Sequence, residues 1–182
     1  VHRTSFRGLS LDLAATGLAR AGKVPLSPLA REAMAARALA EVADDLTYLH
    51  PIRGSPGLPR ALARTLDDLR RADVAPAELA ETPKAGPDLG RLLEAQAALL
   101  DARGLADDAE LLARARAAAG AHRLSGRPLF LLDVAPRDDA EEALLAALVD
   151  AAPEATAVLG PTHPDLGRLG AATGAAPEAL EA

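Results

Sequence analysis

The stretch that decides the fold is Pro128–Gly160, PLFLLDVAPRDDAEEALLAALVDAAPEATAVLG. Leu129–Val134 is a short apolar run of buried-strand type, and Thr156–Leu159 is a second. Between them Asp139–Ala151 carries helical spacing, which predicts a β-α-β unit. A crossover of that kind makes its strands parallel, and parallel strands are normally covered on both faces within a larger sheet. Two such strands alone leave open edges and bare faces in water. Unless further short strands lie elsewhere, the chain is expected to be a piece of something larger, and its start at Val1 without a Met fits an excised segment.

Outward from this unit the pattern is helical. Alanine and leucine, both strong helix formers, are abundant, against two Phe, one Tyr and no Trp. Leu9–Ala21 reads as a helix leaving through Gly22. Ser27-Pro28 supplies an N-cap and a first-turn proline. From there Leu29, Ala33, Ala36, Leu39, Ala43 and Leu46 predict one long helix to about Leu49. His50–Pro59 is a Pro/Gly-rich turn. Leu58, Leu62, Leu66 and Leu69 form the stripe of the next helix, ending near Arg71. Ala72–Pro87 is broken by prolines, with room for one short turn at Ala77–Glu81. Asp88–Arg103 and a helix from Asp107 or Asp108 to about Ala119 are expected to pair as an αα-hairpin across Gly104. The tail after Gly160 has weak periodicity and reads either as loosely ordered or as held by parts absent from the chain. The expected fold class is mainly α with a small α/β part: a helical insertion attached to an incomplete parallel β-α-β unit.

No apolar run approaches the roughly 20 residues needed to span a bilayer, so no membrane partner is expected. The absence of cysteine excludes disulfides, thiolate zinc sites and Cys nucleophiles, and is compatible with a cytoplasmic location, which is the expectation. The net charge of −6 conceals an asymmetry. Residues 1–71 hold eleven Arg/Lys against seven Asp/Glu, whereas 72–182 hold nine against nineteen. The first part is therefore the one suited to approach a polyanion. All basic residues except Lys23 and Lys84 are Arg. That suits bidentate phosphate contacts, although a GC-rich coding bias produces the same replacement.

Catalytic signatures are missing. There is no GxxxxGK[ST] loop and no GxSxG elbow. His2, His50, His122 and His163 are scattered without metal-ligand spacing, so neither a metal nor a cofactor is expected. Asp133 ends a predicted strand, as the magnesium-holding Asp of P-loop enzymes does. Val134, Ala135 and Pro136 follow it in place of a second acid, so a strand-end cap or helix anchor is the simpler reading. The acids Asp138, Asp139, Glu141 and Glu142 fit a helix first turn, where they complement the dipole. The arginines Arg53, Arg60, Arg64, Arg70 and Arg71 fall within nineteen residues. Arg60 and Arg64, one helical turn apart, are candidates with Arg70 and Arg71 for tracking a DNA backbone. An ordinary solvated face, with Arg64 paired to Asp68, is the alternative. Against the DNA reading, the aromatic platforms typical of single-strand binders are nearly missing: Tyr48 and Phe6 are the only candidates in this part of the chain.

The blocks VHRTSFRGLSLDLAA, PLSPLAREAMAARAL, SPGLPRALARTLDDLRRADV, PDLGRLLEAQAALLDARGLADDAELLARA and RPLFLLDVAPRDDAEEALLAAL follow one another in a familiar order. Together they resemble the N-terminal, helicase-like part of bacterial PD-(D/E)XK nuclease-family proteins, similar to the B subunit of AddAB-type ATP-dependent helicase–nucleases. The resemblance covers about Val1–Gly160 and rests on block order, not on a catalytic motif. It implies a superfamily-1 helicase-like framework: a remnant of a first α/β portion with a linker at 1–26, a helical insertion at 27–120, a β-α-β unit at 121–160 and a weakly ordered tail at 161–182. It further implies a role in double-strand-break repair, with DNA and either the remaining domains or a helicase partner subunit as partners. The parent activity would be that of an ATP-dependent exodeoxyribonuclease. No residue of this chain matches its nuclease or ATPase motifs, so no catalytic residue is assigned. A helical protein-interaction scaffold without nucleic-acid contact is the other reading of the same blocks.

Overall fold

A computed structural model of the chain describes residues 2–134, 136–160 and 166–174. Two compact units are present. One is continuous in sequence, Leu18–Glu110; the other combines Val1–Gly17 with Leu111–Ala182, so the continuous unit interrupts it along the chain. The fold is mainly helical with two small pairs of parallel strands. None of the helices among the described residues is long and apolar enough to cross a membrane.

The elements in order are α1 (Phe6–Arg20), β1 (Val24–Pro25), α2 (Pro28–Glu41), α3 (Leu58–Arg71), α4 (Pro76–Ala80), α5 (Gly86–Ala102), β2 (Leu105–Ala106), α6 (Asp108–Ala118), β3 (Leu129–Leu132), α7 (Asp139–Asp150), β4 (Ala155–Val158) and α8 (Leu166–Thr173). Within Leu18–Glu110, α2, α3 and α5 pack together over a core that includes Leu39, Leu62, Leu66, Leu92 and Leu99. Ser27 caps α2 by accepting from the Ala30 amide at 3.2 Å, with Pro28 in the first turn. The short α4 lies close against α5 because Gly86 and Gly90 present no side chain to it. A Cβ on Gly86 would collide with the Leu79 carbonyl, and one on Gly90 would sit 2.9 Å from that of Pro76.

Several expectations need correction. The long helix predicted to Leu49 stops at Glu41. The amides of Thr47 and Leu49, which a continued helix would give to carbonyls four residues back, go to the carboxylate of Asp88 instead. The αα-hairpin across Gly104 is replaced by a strand. β2 follows α5 and pairs in parallel with β1, placing Val24 opposite Leu105 and Pro25 opposite Ala106. The Val24 amide donates to Gly104 O at 2.9 Å and the Leu26 amide to Ala106 O at 2.7 Å. The incoming and outgoing chain of this unit therefore run side by side. Lys23 reinforces the closure with contacts of 3.0 Å to Glu110 and 3.1 Å to Asp101. Hydrogen bonds to Glu110 and then to Asp101 raise its pKa above the ordinary lysine value.

In the other unit β3 and β4 pair in parallel around α7, with Leu129 opposite Ala155 and Leu132 opposite Val158. Leu131 turns inward onto Leu145, Leu169 and Ala172. The alternate positions Phe130 and Leu132 are 63% and 59% exposed, so this apolar face of β3 is bare. The tail read as loosely ordered contains α8, which is held because Leu169 and Ala172 join that small core and Arg168 bonds Asp139 and Glu142 of α7. The rest of the tail, residues 161–165 and 175–182, lies outside the described residues. The helix anchor is Asp138 rather than Asp133. Asp138 accepts from the Glu141 amide at 3.0 Å, and Glu141 accepts from the Arg137 amide at 3.0 Å. Asp133 is exposed at the end of β3 with φ 53°, a left-handed conformation that Asp tolerates better than most residues.

Candidate nucleic-acid interface

The four arginines singled out from the sequence divide into two pairs. Arg60 and Arg64 lie on α3 one turn apart, about 6 Å along the axis at 1.5 Å per residue, and both are exposed. Among the described residues neither has a carboxylate partner, and the Arg64–Asp68 pair that sequence spacing allows does not form. Arg70 and Arg71, at the far end of the same helix, face inward. Arg70 Nε donates to Asp107 Oδ2 at 2.7 Å, and that carboxylate is almost fully buried. Asp107 also accepts from the Glu110 amide at 2.9 Å and so caps α6.

Around them lies a half-buried charge network. Arg31 of α2 reaches Asp67 at 3.3 Å and Asp108 at 2.8 Å, joining three elements that are distant in sequence. Desolvation is the main cause of a raised Asp67 pKa, while the Arg31 charge opposes it and Asp108 adds to it; Arg71 acts in the same direction as Arg31. Three guanidiniums and three carboxylates thus neutralise one another at this end of the bundle. Arg70 joins α3 to the start of α6 through Asp107, and Arg71 lies half-buried beside Asp67 of its own helix.

The opposite end of α3 has another character. From Leu46 to Leu66 the sequence contains no Asp or Glu, but holds His50, Arg53, Arg60 and Arg64. Arg53 is exposed and donates to the carbonyl of His50 at 3.2 Å; its guanidinium also touches the His50 ring. Acid-free runs occur at 13–31 and 111–132 as well. There most cations are engaged: Lys23 and Arg31 as above, Arg114 with Gly17 O at 3.1 Å and Arg123 with Asp12 at 2.7 Å. Arg20, Arg116 and Arg127 are exposed in those runs, and the sequence reading passed over them. What sets 46–66 apart is that none of its arginines meets a carboxylate among the described residues.

Family comparison adds nothing to this picture. No family model matches the chain, and no curated protein matches it.

The loop leading into the basic stretch is fixed by one buried carboxylate. Asp88, 1% exposed in the first turn of α5, accepts from the Thr47 amide at 3.0 and 3.1 Å and from the Leu49 amide at 2.8 Å. Arg91 adds a contact of 3.3 Å from the same helix. Leu46 and Leu49 are buried on either side, while Tyr48 between them is 54% exposed. Sequence spacing named Tyr48 as a possible platform but gave no sign of the clamp, whose partners lie some forty residues away. Among the described residues no group of three or more His, Asp or Glu is placed to hold a metal ion. His163 lies outside the described residues.

Proposed function

We propose that this chain is a non-catalytic, helicase-like segment of a DNA double-strand-break repair helicase–nuclease, binding a nucleic-acid backbone through Arg60 and Arg64 of its helical unit. The supporting observation is the acid-free run of sequence from His50 to Arg64, whose arginines Arg53, Arg60 and Arg64 are exposed, on a chain whose net charge is −6. Guanidiniums free of carboxylates neutralise phosphate and release its counterions, which is where most of such affinity originates. The superfamily-1 framework draws support from topology. A helical unit that interrupts another along the chain, with its two ends paired as β1 and β2, has the connectivity of an insertion. The β-α-β unit, one parallel strand pair with a bare apolar face, has the character of part of a sheet that further elements cover.

Fluorescence anisotropy with a labelled oligonucleotide tests this. Arg60→Ala plus Arg64→Ala is expected to weaken binding at low salt by about tenfold, since two phosphate contacts are lost. Arg116→Ala plus Arg127→Ala, also exposed but in the other unit, is the control and should leave affinity within about twofold. Equal losses in both variants would reduce the effect to bulk charge.

A second reading, a protein-interaction scaffold, is favoured by Phe130 and Leu132 on the bare face of β3. Concentration-dependent association that is abolished by Phe130→Ser and indifferent to nucleic acid would support it.

A further inference from the structure

We infer that the free edge of β3 is a docking surface for a second copy of this chain, paired antiparallel about Phe130. The inference rests on the scaffold reading, supplies its partner, and is independent of nucleic-acid binding. β3 and β4 form a sheet of two, so each has one edge without a neighbouring strand. The amides of Leu129 and Asp133 turn toward β4, donating to Glu154 O at 2.8 Å and to Val158 O at 2.9 Å. Successive residues of a strand point their backbone groups to opposite sides, so those of Phe130 and Leu132 point away from β4. Among the described residues no hydrogen bond engages them at that edge. The side chains of the same two residues, 63% and 59% exposed, stand beside these open groups. An apolar edge with unpaired amides is a template for a further strand.

The flanking charges say which strand fits. Exposed Arg127 precedes β3 and exposed Asp133 follows it, each three residues from Phe130. The segment Arg127–Asp133 is therefore complementary in charge to its own reverse. Antiparallel pairing about a twofold axis at Phe130 sets Arg127 opposite Asp133 at both ends, and Leu129 opposite Leu131. Phe130 then exchanges both backbone bonds with its counterpart, and two phenyl rings meet on the bare face. The Leu132 amide meets the Pro128 carbonyl, a role that needs no N–H. Parallel pairing would instead oppose Arg127 to Arg127 and Asp133 to Asp133. The edge of β4 offers no such match, since Ala155, Thr156 and Ala157 are small and no cation lies between Ala151 and Gly160 to answer Glu154. Asp133, with φ 53°, ends the strand and keeps the shared ladder short. A ladder of that length buries less than the roughly 1,200 Å² of a stable interface, so the dimer is a weak one.

Sedimentation velocity on the full chain without nucleic acid, over a range of concentrations, tests this. The expected result is a monomer–dimer equilibrium that Phe130→Ser weakens about tenfold or more, since the ring is lost from both copies. Arg127→Glu alone and Asp133→Lys alone each place like charges together at both ends and should weaken association about tenfold. Mixed in equal amounts, these two variants restore both opposite pairs and should associate like the parent. Circular dichroism verifies that all three variants keep their helices. Association that survives Phe130→Ser removes this inference and the scaffold reading of β3 together. Loss with Phe130→Ser but no recovery in the mixture overturns the self-pairing and leaves the scaffold reading standing. A parent that stays monomeric at every concentration overturns the second copy as partner. None of these outcomes bears on oligonucleotide binding.

Discussion

Removing the Asp88 carboxylate is the sharpest perturbation of the helical unit. Asp88→Ala strips the acceptor from two amides, and the Leu49 amide, whose bond at 2.8 Å is buried, has no water to replace it. Hydrogen bonds to a charged group contribute about 1.5–3 kcal/mol each, with the partly buried Thr47 bond at the lower end. Loss of an acid from the first turn of α5 adds about 0.5 kcal/mol. The contact with Arg91, whose side chain is 46% exposed, adds little. The expected loss is about 3–5 kcal/mol, a large share of the roughly 5–15 kcal/mol that holds a domain folded. Asp88→Asn keeps one oxygen acceptor but turns an amide donor toward a backbone donor, so it should recover about half of that loss. Urea unfolding followed by helical circular dichroism, with Tyr48 emission as a reporter inside the same unit, measures both variants. A loss below about 1 kcal/mol for Asp88→Ala would refute the reasoning that this carboxylate fixes the loop.

Other consequences are equally direct. Arg70→Ala leaves Asp107 buried beside a lost cation and is expected to cost about 2–3 kcal/mol in urea unfolding, whereas Arg60→Ala should cost less than about 0.5 kcal/mol. Similar costs for the two would contradict the division of the arginines into structural and exposed pairs. Gly86→Ala drives a Cβ into the Leu79 carbonyl and should lose about 1–3 kcal/mol as α4 is displaced from α5. Asp67 has a folded-state pKa above its ordinary 3.8, so its contribution is present below that value and is lost as pH rises through the folded one. Asp67→Asn should therefore gain stability relative to the parent as pH is raised from about 4 to about 7, and a difference that stays flat with pH would speak against desolvation as the cause.

Local signals carried much of the fold. The β-α-β unit was readable because two short continuous apolar runs flank a segment of helical spacing, a relation among neighbours in sequence. The stripe Leu58, Leu62 and Leu66 likewise marked α3 nearly to the residue. What could not be read depends on distant partners. β1 and β2 are two residues each, and nothing in Val24-Pro25 signals a mate some eighty residues on. The loop after α2 is held at Thr47 and Leu49 by Asp88, which appears in sequence as an ordinary first-turn acid. Arg60 and Arg70 look alike along the chain, and only the position of Asp107 beneath one of them separates a structural cation from an exposed one.

The central claim is that the acid-free run from His50 to Arg64 binds nucleic-acid phosphate, and the salt dependence of single-strand affinity tests it most directly. The parent chain should lose affinity linearly on a log–log plot, and Arg60→Ala plus Arg64→Ala should flatten that slope by about 1.4, or about 0.7 per lost phosphate contact. Identical slopes for parent and double variant, or an affinity indifferent to salt, would contradict it.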